Sequence, residues 1–460
     1  MKKKILSLMA VFVVGILIFT GCGFNALIGG PASTDPVSSN GGMVVQKGNF
    51  LYFANGLLEA KKITDNKYGN VDYAGLYRTE LDENGKLQYD SNGKLIAEVL
   101  APKVVGFENG SFYIFGDKIY YATPNTEKNA SGSIDYTQTD FYYSNLDGTN
   151  VTRIYKTAVA STDFKFAFYN VNGKVVLAVY DSADLFMVDC ESKDAVKVAE
   201  GVTSIALPRI LETSSFDGEN YVYYTRKAVD ADSYDHGNVL AMASLDSKTE
   251  VSKLINATYT VKSFACDNVI YTRQDTNDKT ACYFVVAIAN GEFDRTKITQ
   301  ISHQSFSNEP IVVNFLNGNY QGLIVKNESG YLTLVKPMAN NVPEFEVLNS
   351  EVSLTPLAMY GDEIFAYNGD NELYKLNYRT KVLTKLTDKD DITLDFSVYK
   401  SADFDGRYVY VYQTIKGDND EGAYLARIDT ISGELPEVET LGRVLDKHIK
   451  TETEEDTNQD

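Results

Sequence analysis

The chain has 460 residues, with 63 Asp and Glu against 43 Lys and Arg, and carries 32 Tyr, 23 Phe and no Trp. A surface this acidic repels phosphate backbones and anionic head groups, which sets nucleic acid aside as a partner. The length exceeds what one ordinary core holds, so several domains or one repetitive architecture is expected, and the aromatic load suits strands.

The N-terminus opens with Lys2, Lys3 and Lys4, runs apolar from Ile5 to Phe19 and reaches Thr20, Gly21 and Cys22. A basic start, an apolar core too short for a bilayer and a small-residue cleavage site read as a secretory signal peptide over residues 1–21. The run FTGC resembles the lipobox of bacterial lipoproteins. That resemblance implies acylation of Cys22, attachment to the cell membrane and a protein facing outside the cytoplasm. Residues 22–42 are small, polar and without strand pattern, and are expected to form a flexible tether.

From residue 43 to 445 one module recurs. Its clearest copy, SLTPLAMYGDEIFAYNGDNELYKLNYRTKVLTKLT from Ser353 to Thr387, holds four apolar runs separated by turns rich in Gly, Asp and Asn. Four short strands joined by tight turns make an antiparallel meander. The second run is apolar throughout and the fourth alternates with polar residues, so a dry inner strand grades into a wet outer one. A template of second and third strands finds eight copies: Phe50 to Phe53 with Leu76 to Leu81, Ile119 to Ala122 with Phe141 to Thr149, Val175 to Tyr180 with Leu185 to Asp189, Tyr221 to Thr225 with Val239 to Asp246, Val269 to Thr272 with Tyr283 to Ala289, Tyr320 to Val325 with Tyr331 to Val335, the model unit, and Tyr408 to Tyr412 with Tyr424 to Asp429.

A spacing of roughly 40 to 65 residues brackets propeller repeats. The expected fold is all-β, a β-propeller of eight four-stranded antiparallel blades, or seven if the long first segment forms no blade; a β-helix or a sandwich are the other architectures. Each copy supplies its own four strands, so the ring is expected to close by side-chain packing between the first and last blades. The phrases FYYSNLDGTNVTRIY and LYKLNYRTKVLTKLT resemble the blades of propellers of the TolB and prolyl oligopeptidase kind. That resemblance implies fold and architecture; no GxSxG elbow accompanies it, so it brings no hydrolase machinery.

Chemistry-bearing motifs are sparse. His236, His303 and His448 stand far apart, and no phosphate-binding glycine loop occurs. Beyond Cys22 the cysteines are Cys190, Cys266 and Cys282. The last two fall on a first and a third strand, about 10 Å apart, beyond the roughly 7 Å a disulfide spans, so free thiols are expected. Asp230, Asp232, Asp235 and His236 in the fourth unit, and Asp418, Asp420 and Glu421 in the eighth, sit between second and third strands. Such carboxylates are weak calcium candidates, since neither loop completes a calcium-loop pattern; no other metal or cofactor is expected.

Loop length is more informative. The second-to-third connections are long in the first unit (Ala54 to Gly75), the second (Thr123 to Asp140) and the eighth (Gln413 to Gly422), which are neighbours in a closed ring. Long loops often carry function, so a raised lip over the seam is expected, with Tyr68, Tyr73, Asn129 and Tyr136 as ligand contacts. The function read from these features is a lipid-anchored binding protein for a protein, peptide or glycan, acting as a monomer. The alternatives are a polysaccharide-active glycosidase or lyase with carboxylates in the central funnel, for which Asp403 and Asp405 are the candidates although they read as turn residues, and a structural scaffold of a surface complex. Residues 446–460, TETEEDTNQD at their end, read as an acidic solvated tail.

Overall fold

The computed structural model describes residues 41–58, 73–105, 111–133, 138–157, 165–181, 183–207, 220–229, 232, 237–265, 267–274, 280–302, 306, 310–315, 319–339, 342–388, 394, 402–415, 422–431 and 438–441. They form an eight-bladed β-propeller, each blade a four-stranded antiparallel meander.

Blade 1 comprises β1 (Val44–Lys47), β2 (Phe50–Leu58), β3 (Tyr73–Glu80) and β4 (Glu98–Val104); blade 2 comprises β5 (Phe112–Phe115), β6 (Lys118–Pro124), β7 (Thr139–Asn145) and β8 (Thr152–Lys156). Blade 3 is β9 (Lys165–Val171), β10 (Lys174–Asp181), β11 (Asp184–Asp189) and β12 (Ala195–Ala199), and blade 4 is β13 (Val202–Ala206), β14 (Tyr221–Lys227), β15 (Asn238–Ser244) and β16 (Thr249–Leu254). Blade 5 follows with β17 (Thr258–Ala265), β18 (Asn268–Gln274), β19 (Cys282–Ala289) and β20 (Glu292–Gln300), then blade 6 with β21 (Ile311–Phe315), β22 (Asn319–Lys326), β23 (Leu332–Ala339) and β24 (Val342–Val347). Blade 7 is β25 (Thr355–Tyr360), β26 (Glu363–Tyr367), β27 (Leu373–Asn377) and β28 (Leu383–Lys385), and blade 8 is β29 (Asp403–Phe404), β30 (Tyr408–Ile415), β31 (Gly422–Asp429) and β32 (Val438–Thr440).

The second strands are apolar at successive positions because each face of a blade is covered by a neighbour. Tyr121 of β6 packs toward blade 1, whereas Tyr120 and Ala122 pack toward blade 3. Phe365 of β26 faces blade 8, while Ile364 and Ala366 face blade 6. The period-two alternation of a strand thus separates two cores rather than core from solvent. Among the described residues, apolar clusters run from blade to blade, and one of them joins blade 8, blade 1 and blade 2, which makes the ring complete.

First strands lie against one another at the axis, as in β13 with β17 and β21 with β25. Fourth strands form the rim, and β12 is exposed at Ala195, Val196 and Lys197. The turn chemistry repeats as well. Between first and second strands, Gly48, Gly116, Gly173, Gly361 and Gly406 all adopt positive φ, which glycine accommodates without the clash of a Cβ. At the end of third strands an Asp or Asn builds the next turn. Asp189 Oδ1 accepts from the backbone N–H groups of Glu191 and Ser192 at 2.9 Å each, and Asn377 Oδ1 accepts from those of Arg379 and Thr380. The Asp or Asn terminating the third strands of blades 3 and 7 is therefore a turn-forming acceptor.

Candidate functional site

In every blade the first strand descends from the face that carries the second-to-third connections, so this face also receives the chain as it enters each blade. On it, blades 1 and 2 have the longest second-to-third connections, residues 59–72 and 125–138. The third longest belongs to blade 4, residues 228–237, and not to blade 8 as the sequence implies. In blade 8 the ladder continues through Gln413↔Tyr424, Thr414↔Ala423 and Ile415↔Gly422, which leaves only residues 416–421 as loop. The aromatic and β-branched residues of YVYVYQTI favour an extended strand, and the hairpin runs on to Ile415.

That extension serves the ring. Each blade uses its own four strands, yet β2 and β31 meet edge to edge at Leu57↔Ala423, so blades 1 and 8 share one eight-stranded sheet. Closure is thus more than the side-chain packing expected from sequence. Asn55, which is buried, donates from Nδ2 to the Leu441 carbonyl and accepts at Oδ1 from Leu425 N at 2.8 Å. The Tyr412 hydroxyl donates to the Ala54 carbonyl at 2.9 Å. Around these bonds Tyr52, Phe53 and Ala54 share a core with Tyr410, Tyr412 and Leu425.

The segment entering β1 is also built in. Gly41, Gly42 and Met43 are buried, although the sequence assigns the first two to the tether. Backbone N–H groups of Met43 and Val44 donate to Asp403 Oδ2, the second at 3.0 Å, and the Gly41 carbonyl accepts from Ser111 N at 2.9 Å. Asp403 is buried and also receives the Tyr360 hydroxyl at Oδ1, 3.2 Å away. Asp405 accepts the Tyr410 hydroxyl at 2.7 Å and the backbone N–H groups of Arg407 and Tyr408. Both carboxylates weighed for a funnel, Asp403 and Asp405, are therefore engaged in holding the backbone.

The blade 2 side of the face carries a charged group of residues. Lys156 Nζ donates to Asn125 Oδ1 at 3.1 Å and to Glu127 Oε2 at 3.3 Å, and Arg153 also pairs with Glu127. Beneath them Asp140 is buried, with Oδ1 3.8 Å from Arg153 Nη1. Burial raises the Asp140 carboxyl above the usual range. Asn129 is exposed on the same connection, but its amide oxygen builds a turn by accepting from Ser131 N, Ser131 Oγ and Ser133 N. Tyr73 opens β3 opposite Leu58. Tyr68, Tyr136, Asp230, Asp235, Asp418, Asp420 and Cys22 lie outside the described residues, as do Cys266 and the three His.

Asp232 alone of the calcium candidates is described, and it is an ion-pair partner. Arg226 holds both its oxygens, Lys253 holds Oδ1, and Val229 N donates to Oδ2 at 2.9 Å. Among the described residues no group of three or more His, Cys, Asp or Glu is arranged to hold a metal ion, and no helix is long and apolar enough to cross a membrane.

No family model matches the chain, and no curated protein matches it. Solved structures resemble it in fold. A prolyl endopeptidase aligns with 13% identity and a TM-score of 0.45 over 72% of this chain and 48% of its own, so the chain spans about half the length of that enzyme. An oligogalacturonate lyase from Vibrio parahaemolyticus aligns with 11% identity and a TM-score of 0.42 over 75% and 96%. AztD from Citrobacter koseri aligns with 9% identity and a TM-score of 0.43 over 89% and 99%. At these identities the likeness concerns the fold alone.

Sequence reasoning missed Asn55 and Arg226, and for Asp403 and Asp232 it missed the bonds they make. A buried Arg flanked by Asp and Glu leaves no periodic trace, and Asp403 stands one residue from the turn motif of Asp405 and Gly406, which masks it.

Proposed function

We propose that the chain is a lipid-anchored extracytoplasmic propeller that binds a protein, peptide or glycan through the connections of blades 1 and 2. It is acylated at Cys22, held at the cell membrane and acts as a monomer. The observation that carries the binding part is the pairing of the two longest connections, 59–72 and 125–138, on adjacent blades of one face. Their bases are fixed by the β2–β31 bridge and by the β6–β7 ladder. Rigid strands beneath long loops are a common way to present contacts to a partner. Support for the anchor comes from Lys2, Lys3 and Lys4, the apolar run and the FTGC motif.

Two experiments test the two halves separately. In Cys22→Ala, incorporation of labelled fatty acid should cease and the protein should leave the membrane fraction; persistent label would overturn the anchor. Replacing Tyr68, Tyr73 and Tyr136 together by Ala should reduce quantitative capture of ligand from envelope extract without changing the melting temperature. Unchanged capture would overturn the loop assignment.

A further inference from the structure

Seven of the eight joints between blades have a covalent connection, because the chain passes from a fourth strand to the next first strand. Blades 8 and 1 have none, so this joint rests on non-covalent contacts. We propose that residues 41–44 are a clasp for it, and that ring opening at the seam is conditional on their seating against Asp403.

Blades 8 and 2 hold the segment directly, and blade 7 reaches it through Asp403. The Asp403 carboxylate extends from β29 of blade 8, binds the backbone of Met43 and Val44 at the start of blade 1, and takes the hydroxyl of Tyr360 from blade 7. Ser111 N, at the start of blade 2, binds the Gly41 carbonyl. The fit leaves no room. A Cβ on Gly42 would stand 2.6 Å from Asp403 Oδ2, and one on Gly41 would stand 2.6 Å from the Tyr113 hydroxyl, at φ +62. Two consecutive glycines are thus demanded by the approach of two different blades.

The seating is coupled to the seam by the chemistry of a buried acid. If the clasp lifts, Asp403 loses two backbone donors and must be reached by water, which requires β29 and β1 to part. The bridge at Leu57↔Ala423 and the bonds of Asn55 lie on the same two blades and would open with it.

Hydrogen exchange measured strand by strand on the full chain tests this. In Asp403→Ala and in Gly42→Ala, amides of β2 and β31 should exchange about ten- to a hundredfold faster, the factor expected for losing bonds to a charged acceptor. Blades 4 and 5 should keep their wild-type rates, as should every blade in Gly369→Ala, where an added Cβ meets nothing. A Leu57→Cys/Ala423→Cys pair, oxidised in the Asp403→Ala background, should restore slow exchange, and reduction should reverse this. Faster exchange spread evenly over all blades, unchanged exchange at the seam, or failure of the oxidised pair to restore it would each overturn the clasp. Should Asp403→Ala fail to fold alone, the oxidised pair and Gly42→Ala still decide the matter.

Discussion

Arg226 grips Asp232 through both carboxylate oxygens, Nη1 to Oδ2 at 2.7 Å and Nη2 to Oδ1 at 3.1 Å, and both residues are buried. The same guanidinium donates to both oxygens of Glu250 on β16, and Glu250 accepts the Tyr224 hydroxyl. A single point on the blade 4 connection is thereby fixed to the second and fourth strands. Without Asp232 the buried Arg226 keeps Glu250 but loses two charged hydrogen bonds, so Asp232→Ala should destabilise the protein by about 2–3 kcal/mol in chemical denaturation.

The same pair sets an acid limit. Hydrogen bonds from Arg226 hold the Asp232 carboxyl well below the usual range. A carboxyl lowered on folding contributes stability that is present above its unfolded value of about 3.9 and is lost as pH falls through its folded value. Between those two values wild-type stability should fall with decreasing pH. Asp232→Asn should flatten that slope in denaturation series from pH 5 downward; an unchanged slope would mean the pair contributes no linkage.

Asp140 should behave in the opposite sense. It is also buried, but burial is the largest influence and the charges of Lys156 and Arg153 only partly offset it, so its carboxyl is raised. A raised acid binds more protons folded than unfolded, so stability declines as pH rises from the ordinary carboxyl range through the raised value. Asp140→Asn should therefore leave the protein as stable as wild type or up to about 1 kcal/mol more so at neutral pH. A loss of stability there would show that the 3.8 Å approach to Arg153 outweighs desolvation.

A buried Arg also sits on the opposite face of the seam. Arg427 of β31 stacks 3.8 Å from the Tyr408 ring centroid, donates to Glu439 at 2.9 Å and lies 3.5 Å from the Gly85 carbonyl. Gly85 belongs to the excursion between β3 and β4, whose Leu87 and Leu95 enter the core shared with Tyr408 and Tyr410. Arg427→Ala should cost about 3 kcal/mol, and Arg427→Lys should recover less than half, because an ammonium reproduces neither the planar stack nor the spread of donors. Glu439→Gln should cost under about 1 kcal/mol, since that carboxylate is 32% exposed. Equal losses for Arg427→Ala and Glu439→Gln would assign the effect to the ion pair instead of the ring.

What was legible in the chain follows from which contacts repeat. All eight pairs of second and third strands were readable because two-sided burial forces runs such as Ile364 to Tyr367 to be apolar, and because Asp189 or Asn377 must end the next strand to build its turn. Seam contacts occur once and have no period. Leu57 and Ala423 meet through backbone, which any residue supplies. Gly41 and Gly42 have the composition of a linker, and only the proximity of Tyr113 and Asp403 shows why both lack a side chain. In the excursion between β3 and β4, LDENGKLQYDSNGKL, Asp82 and Asp90 build the turns, each accepting two backbone N–H groups. Leu87 and Leu95 are isolated and show no strand pattern, so only the structure places them in the core shared with Tyr408 and Tyr410.

The thiols offer a measure of how tightly the blades are held. Cys190 is buried where β11 turns toward β12, and burial together with the nearby Asp189 raises its thiol far above the ordinary range. Attack by a thiol requires the thiolate, so Cys190 is protected twice, by access and by protonation. Cys282 opens β19 and is only half-buried. In native protein at pH 8, a maleimide or disulfide reagent should modify Cys282 within minutes while Cys190 stays unlabelled by peptide mass spectrometry. In denaturant both should react alike. Because labelling of Cys190 must wait for blade 3 to open, its rate should rise with denaturant as amide exchange in β10 and β11 does. Labelling of Cys190 as fast as that of Cys282 in native protein would mean that blade 3 is far looser than its buried strands imply.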